Sequence, residues 1–273
     1  MFPGAIADRE VADYVLLGAP LDISTSFQPG TRFGPNRIRR FAESFDDYDR
    51  RTDQFFTDLR VHDAGDVRAW DDAPEYVEWL AGSVRDAVWD DAVPVVLGGE
   101  HTVTAAGVTG VEPDVFVCLD AHLDLRREYD GNEWSHATVT RRVIDELGVD
   151  EAVILGARTG SPDEWERAEA ADVTVVEPEA VADWDPDFDD DQSVYLSVDI
   201  DAADPAFAPG TGTKEPFGLT SREMRDAVRA VAPRADGFDV VEVNDRDDGQ
   251  AASLAAKLLR EFVFSHAAGR ADE

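Results

Sequence analysis

Lysine is nearly absent: Lys214 and Lys257 stand against 23 arginines in a chain of 273 residues. Cysteine occurs once, at Cys118, which excludes an internal disulfide. It lies in the apolar run Val115-Phe116-Val117-Cys118-Leu119, where a buried, inert thiol is expected. No stretch approaches the roughly 18 consecutive apolar residues of a membrane span, and Met1 to Glu10 lack both a basic start and an apolar h-region. Export and membrane insertion are therefore unsupported, and a cytoplasmic protein is expected. Positive charge is scarce overall, with 39 Asp and 20 Glu giving a net charge of −34. Such a surface repels nucleic acid and anionic membrane, so neither is expected as a partner. Self-repulsion of this size destabilises a fold at low salt, whereas molar salt shortens the Debye length to about 3 Å. The composition thus suits a salt-rich cytoplasm and predicts a halophilic protein.

Hydrophobic residues still make up 43% of the chain, enough for a folded core. Short β-rich runs are predicted at Tyr14–Gly18, Val61–Asp63, Val93–Leu97, Val115–Leu119, Val153–Gly156, Val173–Val176, Val194–Val198 and Phe238–Val243. Helical patterns lie between them at Pro74–Trp89, Thr138–Leu147, Asp163–Ala171, Ser221–Val231 and Ala251–Phe264. Strands interleaved with helices imply a parallel sheet, because parallel neighbours need crossover connections. Pattern alone leaves an open sheet and a closed eight-stranded barrel equally available. No repeat or linker interrupts the chain, and the acidic run Asp183–Asp191 reads as a solvated loop, so residues 1–273 are expected to form one domain.

Three polar clusters follow apolar strands: Gly98-Gly99-Glu100-His101, Asp120-Ala121-His122-Leu123-Asp124, and Asp199-Ile200-Asp201. Ligands of open parallel sheets gather at the carboxyl ends of strands, so three such ends should converge. Two-residue spacing in extended chain sends Asp120, His122 and Asp124 to one side, and likewise Asp199 and Asp201. Any one of these motifs alone is ordinarily a turn, a cap or exposed surface. Together they bring four carboxylates to one place without an interleaved Lys or Arg, and carboxylates so grouped cannot all stay ionised without added positive charge. Metal ions supply it, and two divalent ions balance four carboxylates formally. Oxygen ligands with some imidazole favour Mn²⁺ over a thiolate-preferring metal, with Zn²⁺, Ni²⁺ and Co²⁺ open on affinity. Elsewhere, His136 in Ser135-His136-Ala137-Thr138, taken alone, reads as a helix-entry residue with Ser135 or Thr138 as cap rather than as a site residue. Glu242, in an apolar strand, needs a partner for its charge, and an Arg is the ordinary one.

Taken together, Gly30-Thr31-Arg32-Phe33-Gly34-Pro35, the three clusters, Asp204-Pro205-Ala206-Phe207-Ala208-Pro209-Gly210-Thr211-Gly212-Thr213 and Val240-Val241-Glu242-Val243-Asn244 resemble the ureohydrolase family of arginases and agmatinases, the agmatinases most closely. The resemblance implies a three-layer α/β/α sandwich around an eight-stranded parallel sheet, which removes the barrel. It implies two Mn²⁺, with His101 and Asp124 on one ion, His122 and Asp201 on the other, and Asp120 and Asp199 bridging. It makes Asp124 and His136 catalytic, as acceptor from the attacking water and as proton shuttle, and Glu242 the receiver of the substrate guanidinium. The implied reaction converts agmatine to putrescine and urea in a trimer or hexamer, and the excess negative charge suits a small cationic guanidino substrate. N1-aminopropylagmatine, giving spermidine, is the nearest alternative. Guanidinobutyrate would need a cationic pocket for its carboxylate, against which the acidic mouth argues. A metal-stabilised regulatory homologue without turnover is the alternative outside enzymology. Departures from the family pattern fall at Ala137, at Lys214 and over Asn244-Asp245-Arg246-Asp247, which is expected to reshape the mouth with Asn132-Glu133-Trp134.

Overall fold

The computed structural model describes residues 1–68, 70–189 and 191–271. In chain order the elements are β1 (Tyr14–Ala19), α1 (Gly34–Ala42), β2 (Tyr48–Asp49), β3 (Gln54–Phe55), β4 (Val61–Asp66), α2 (Ala73–Trp89), β5 (Val93–Gly98), α3 (Thr104–Val111) and β6 (Val115–Leu119). There follow α4 (Val139–Glu146), β7 (Glu151–Leu155), α5 (Pro162–Ala168), β8 (Val173–Val176), β9 (Val194–Asp199), α6 (Ser221–Val231), β10 (Ala235–Val241) and α7 (Gln250–Ala271). Eight strands form one sheet in the order β4-β1-β5-β10-β9-β6-β7-β8, with every pairing parallel. It is the predicted open sheet. The remaining strands, β2 and β3, pair only with each other, antiparallel.

Alternate residues of the central strands feed two separate cores, which is why these strands read as largely apolar runs. Leu97, Val117, Leu196, Val198 and Phe238 join one core with side chains of α1, α6 and α7. Val96, Phe116, Cys118, Tyr195 and Val241 join the other with α2 and α3. Helices on both faces of one sheet make the three-layer α/β/α sandwich.

Two helices escape the sequence pattern. In α1 only a short apolar stripe exists, and Arg39 is buried with it by ion pairs to Asp63 at 2.8 Å and to Asp66. Helix α3 is rich in glycine and β-branched residues, poor helix formers. Its Gly107 is required by packing: a Cβ there would lie 1.9 Å from the Tyr195 hydroxyl oxygen. In the acidic run Asp183–Asp191, residues 184–189 form no regular element and Asp190 lies outside the described residues.

Helix α7 closes one face and carries His266, whose Nδ1 lies 2.8 Å from the buried Tyr14 hydroxyl. Burial, with the charge of Arg270, depresses its pKa to about 4. The unfolded chain therefore takes up a proton near pH 6.5 that the folded chain refuses until about 4. Stability is lost as pH falls through that window, by on the order of 3 kcal/mol in total. Chemical denaturation of His266→Asn against the parent at several pH values should give a flatter profile for the variant between pH 6.5 and 4; parallel profiles would contradict the assignment.

Candidate metal centre and active site

The four central strands β5, β10, β9 and β6 end together, and all three predicted clusters leave the sheet there. Register levels them: Asp199 pairs with Val241, and Leu119, just before Asp120, pairs with Val198. Residues Asp120 to Asp124 do not continue as extended chain. Instead Asp120 Oδ1 accepts from the His122 N–H at 2.7 Å, and Asp199 Oδ1 accepts from the Asp201 N–H at 2.9 Å. These twin turns achieve by folding the convergence that two-residue spacing suggested. Asp124 completes the loop with φ of 50°, an unusual left-handed conformation for a residue with a side chain.

The convergence is close. His101 Nδ1 lies 3.2 Å from Asp120 Oδ2, 3.0 Å from Asp124 Oδ2 and 3.5 Å from Asp199 Oδ2. His122 Nδ1 lies 3.1 Å from Asp201 Oδ2 and 3.5 Å from Asp120 Oδ1. Asp120 thus turns one oxygen to each imidazole. Thr213 Oγ1 donates to Asp201 Oδ2 at 3.0 Å. Among the described residues no Lys or Arg side chain pairs with any of the four carboxylates; Arg158 donates Nη2 to the Asp201 carbonyl instead.

Electrostatics registers the missing positive charge. Burial, reinforced by Asp201 and Asp120, drives the Asp199 carboxyl well above the ordinary range. Burial and the Asp120 charge raise Asp124 to about 6. At Asp120 burial is outweighed by His101 and His122, which hold its carboxyl below the usual range. At both imidazoles burial opposes protonation and is overcome, by hydrogen bonds to Asp120 and Asp124 at His101 and by Asp201 and Asp120 at His122, so both are pushed up. Four carboxylates and two imidazoles so arranged fit a pair of divalent cations, which would supply what the apposed side chains borrow from each other. Cys118 Sγ also approaches, 3.7 Å from His101 Nε2. Burial raises that thiol to about 12, so it stays protonated and is a poor ligand, in keeping with the inert cysteine expected from its apolar run.

Beside this cluster lies a second one. Glu242 leaves β10 with φ of 60°, and its Oε1 accepts from the His101 N–H at 2.8 Å and faces His136 Nδ1 at 3.0 Å. Its partner is therefore an imidazole and a backbone amide rather than an arginine. His136 does open a short helical turn, capped by Ser135, yet its ring is buried in the site. Burial lowers its basicity, the Glu242 charge outweighs this, and its pKa rises to about 9. On the other side, Ser26 N and Oγ lie 3.0 and 2.8 Å from His136 Nε2. Glu100, fully buried, accepts from Ile23 N at 2.9 Å and Ser24 N at 2.8 Å and so pins the loop that carries Ser26. Neither Ser26 nor Glu100 stood out as a site residue in the sequence; the Gly-Gly-Glu-His motif held the only signal for Glu100.

A cavity of about 200 Å³ opens over the two clusters, lined by His122, Asp124, Asp199, Asp201, Ser26 and His136 and, away from them, by Arg126, Tyr129, Ser161 and Glu164. The cavity keeps an excess of acids, with Asp124, Asp199, Asp201 and Glu164 against Arg126, although Glu164 is occupied by Arg126 Nε at 3.1 Å and by the Ser161 N–H at 2.8 Å. Glu242 is not on the wall, because His136 stands before it. Nor are residues 132–134, where Trp134 instead lies under the Arg142 guanidinium at 3.8 Å. Asn244 and Arg246 brace Gln28 and Pro29 by hydrogen bonds to their carbonyls, a structural use of the divergent segment.

A doubly covered parallel sheet with this cluster at its central strand ends defines a hydrolase of the arginase class, and the chain belongs to the arginase family, whose model matches residues 12–265. More particularly, it is an arginase-family ureohydrolase. An agmatinase of Pyrococcus horikoshii is 35% identical, over 96% of this chain and 94% of the relative. The N(1)-aminopropylagmatine ureohydrolase of Thermococcus kodakarensis is 36% identical, over 93% of this chain and 91% of its own. The crystal structure of an agmatine ureohydrolase of Thermoplasma volcanium superposes with a TM-score of 0.92 at 32% identity, covering 100% of this chain and 96% of that one. Among the described residues no helix is long and apolar enough to cross a membrane.

Proposed function

We propose that residues 1–273 form one ureohydrolase domain that hydrolyses agmatine to urea and putrescine with two Mn²⁺. His101 and Asp124 would hold one ion, His122 and Asp201 the other, with Asp120 and Asp199 shared. The observation that carries this reading is Asp120, whose two oxygens address the two imidazoles separately. Ions bound there would lower the pKa of a water and so supply a nucleophile near neutral pH. Asp124 would accept a hydrogen bond from the attacking water and aim its oxygen at the guanidinium carbon. As the new C–O bond forms, the C–N bond to the substrate's chain would break, and His136 would pass the proton released by that water to the departing amine. With the imidazole in place Glu242 acts through His136 Nδ1; receipt of the guanidinium by Glu242 itself requires His136 to turn aside.

Agmatine is favoured by the Pyrococcus horikoshii relative, an agmatinase, and aminopropylagmatine by the Thermococcus kodakarensis one. A second reading is favoured by one observation: Arg126 sets a guanidinium on the wall, where an ω-guanidino acid such as guanidinobutyrate could place its carboxylate. Urea release with Mn²⁺ in concentrated KCl, over agmatine, aminopropylagmatine and guanidinobutyrate, tests these assignments. Turnover of agmatine above the others is expected; urea from guanidinobutyrate alone would replace the reading, and urea from none would overturn it.

The surface charge supports a salt-rich cytoplasm as the working environment and a homo-oligomer, trimer or hexamer, is proposed from the family. Raising KCl from about 0.1 to 2 M should increase the melting temperature by several degrees, since screening shortens from about 10 to under 3 Å. A constant or falling melting temperature would remove the halophilic assignment.

A further inference from the structure

We propose that Ser26 is a positioning residue for His136, holding the imidazole as the tautomer with its proton on Nδ1 and a lone pair on Nε2. The assignment follows from donors that cannot reverse. A backbone N–H only donates, and that of Ser26 lies 3.0 Å from Nε2 with hydrogen-bond geometry. Nε2 is therefore the acceptor, and the Ser26 hydroxyl at 2.8 Å donates to the same lone pair. On the opposite edge Nδ1 meets Glu242 Oε1 at 3.0 Å, a carboxylate that only accepts. The two ring nitrogens are thus assigned opposite roles by their neighbours. The chain Glu242–His136–Ser26 has the connectivity of an acid–base–hydroxyl triad, although the hydroxyl here serves the imidazole and no covalent step is implied.

Ser26 is not a passive neighbour on a loose loop. Glu100 accepts from the amides of Ile23 and Ser24, and Asp22 Oδ2 accepts from the Gly30 N–H at 2.7 Å. Ser135, adjacent to His136, donates its hydroxyl to the Ser24 carbonyl at 3.2 Å. Both ends of the Ser26–His136 contact are thereby tied to one braced segment. Ser26 and His136 also share the cavity wall, so the tautomer that Ser26 selects is the one presented toward substrate. Once the ring has given up a proton, Nε2 is the nitrogen that carries the lone pair and the one that takes the next proton.

The kinetic part of the test rests on the ureohydrolase reading. Ser26→Ala keeps the amide but loses the hydroxyl. It should lower kcat about tenfold, with KM within about twofold and metal content unchanged, and Ser26→Thr should recover most of the loss. In a His136→Ala background the Ser26→Ala change should have no further effect, because it acts only through the imidazole. Unchanged kcat in Ser26→Ala, or losses that multiply in the double variant, would overturn the proposal. A spectroscopic arm is independent of turnover: in ¹⁵N-imidazole-labelled protein loaded with a diamagnetic divalent ion and held above pH 9, where the ring is neutral, His136 Nε2 should resonate as an unprotonated, pyridine-type nitrogen. A pyrrole-type Nε2 would overturn the tautomer even if urea is released. A pyridine-type signal without urea release would sustain it while the substrate reading fails.

Discussion

Asp199→Asn should weaken binding of at least one divalent ion by more than about 100-fold, since disturbing even the partners of metal ligands costs 10–100-fold. Urea release at limiting metal should fall at least in proportion. The reason lies in where Asp199 sits: at the end of β9, 97% buried, and 3.5 Å from His101 Nδ1. Without cations its ionised form is opposed by burial, by Asp201 and by Asp120. The same variant should therefore have the opposite effect on the stripped protein. With chelator present, Asp199→Asn should be at least as stable as the parent, because a neutral amide removes a buried like charge. With metal present it should be less stable, because the parent alone gains the full binding free energy. This reversal of order, read by thermal melting with and without chelator, separates a metal ligand from a structural carboxylate. A variant less stable under both conditions would point to a purely structural Asp199.

His136→Ala should retain both ions and lose turnover by about 10²–10⁴-fold, the range of general acid–base contributions. Its ring touches Glu242 and Ser26 and makes no hydrogen bond to the six metal-site side chains, so the metal cluster should survive its removal. Loss of metal together with activity would reassign His136 to the scaffold of the site. Undiminished turnover would remove it from the chemistry.

Much of the fold was readable because β5, β6, β9 and β10 are covered on both faces and are largely apolar, with the buried Ser197 and Asp239 satisfying each other by a hydrogen bond. Helix α1 was not, since an ion-paired Arg39 takes part of its buried face. Helix α3 was not, since Gly107 answers to Tyr195 nearly ninety positions away rather than to helix propensity. The metal-site residues stood out because each cluster directly follows a strand and because carboxylates grouped without basic residues demand a cation. Ser26 and Arg126 carry no such local mark, and Glu100 shares its cluster's position after β5 without any sign of the loop it holds. Ser26 meets His136 across 110 positions, and Glu100 meets Ser24 across 76, so only the folded chain reveals their use. The pairing of Arg126 with Glu164 on the cavity wall is hidden for the same reason, since net charge counts residues and not their partners.

Calorimetric titration of Mn²⁺ into chelator-treated protein, with metal content of the product measured by elemental analysis, bears most directly on the paired-cation site. Two ions per chain are expected, falling to one or none in Asp199→Asn. A single ion in the parent, or none, would contradict it.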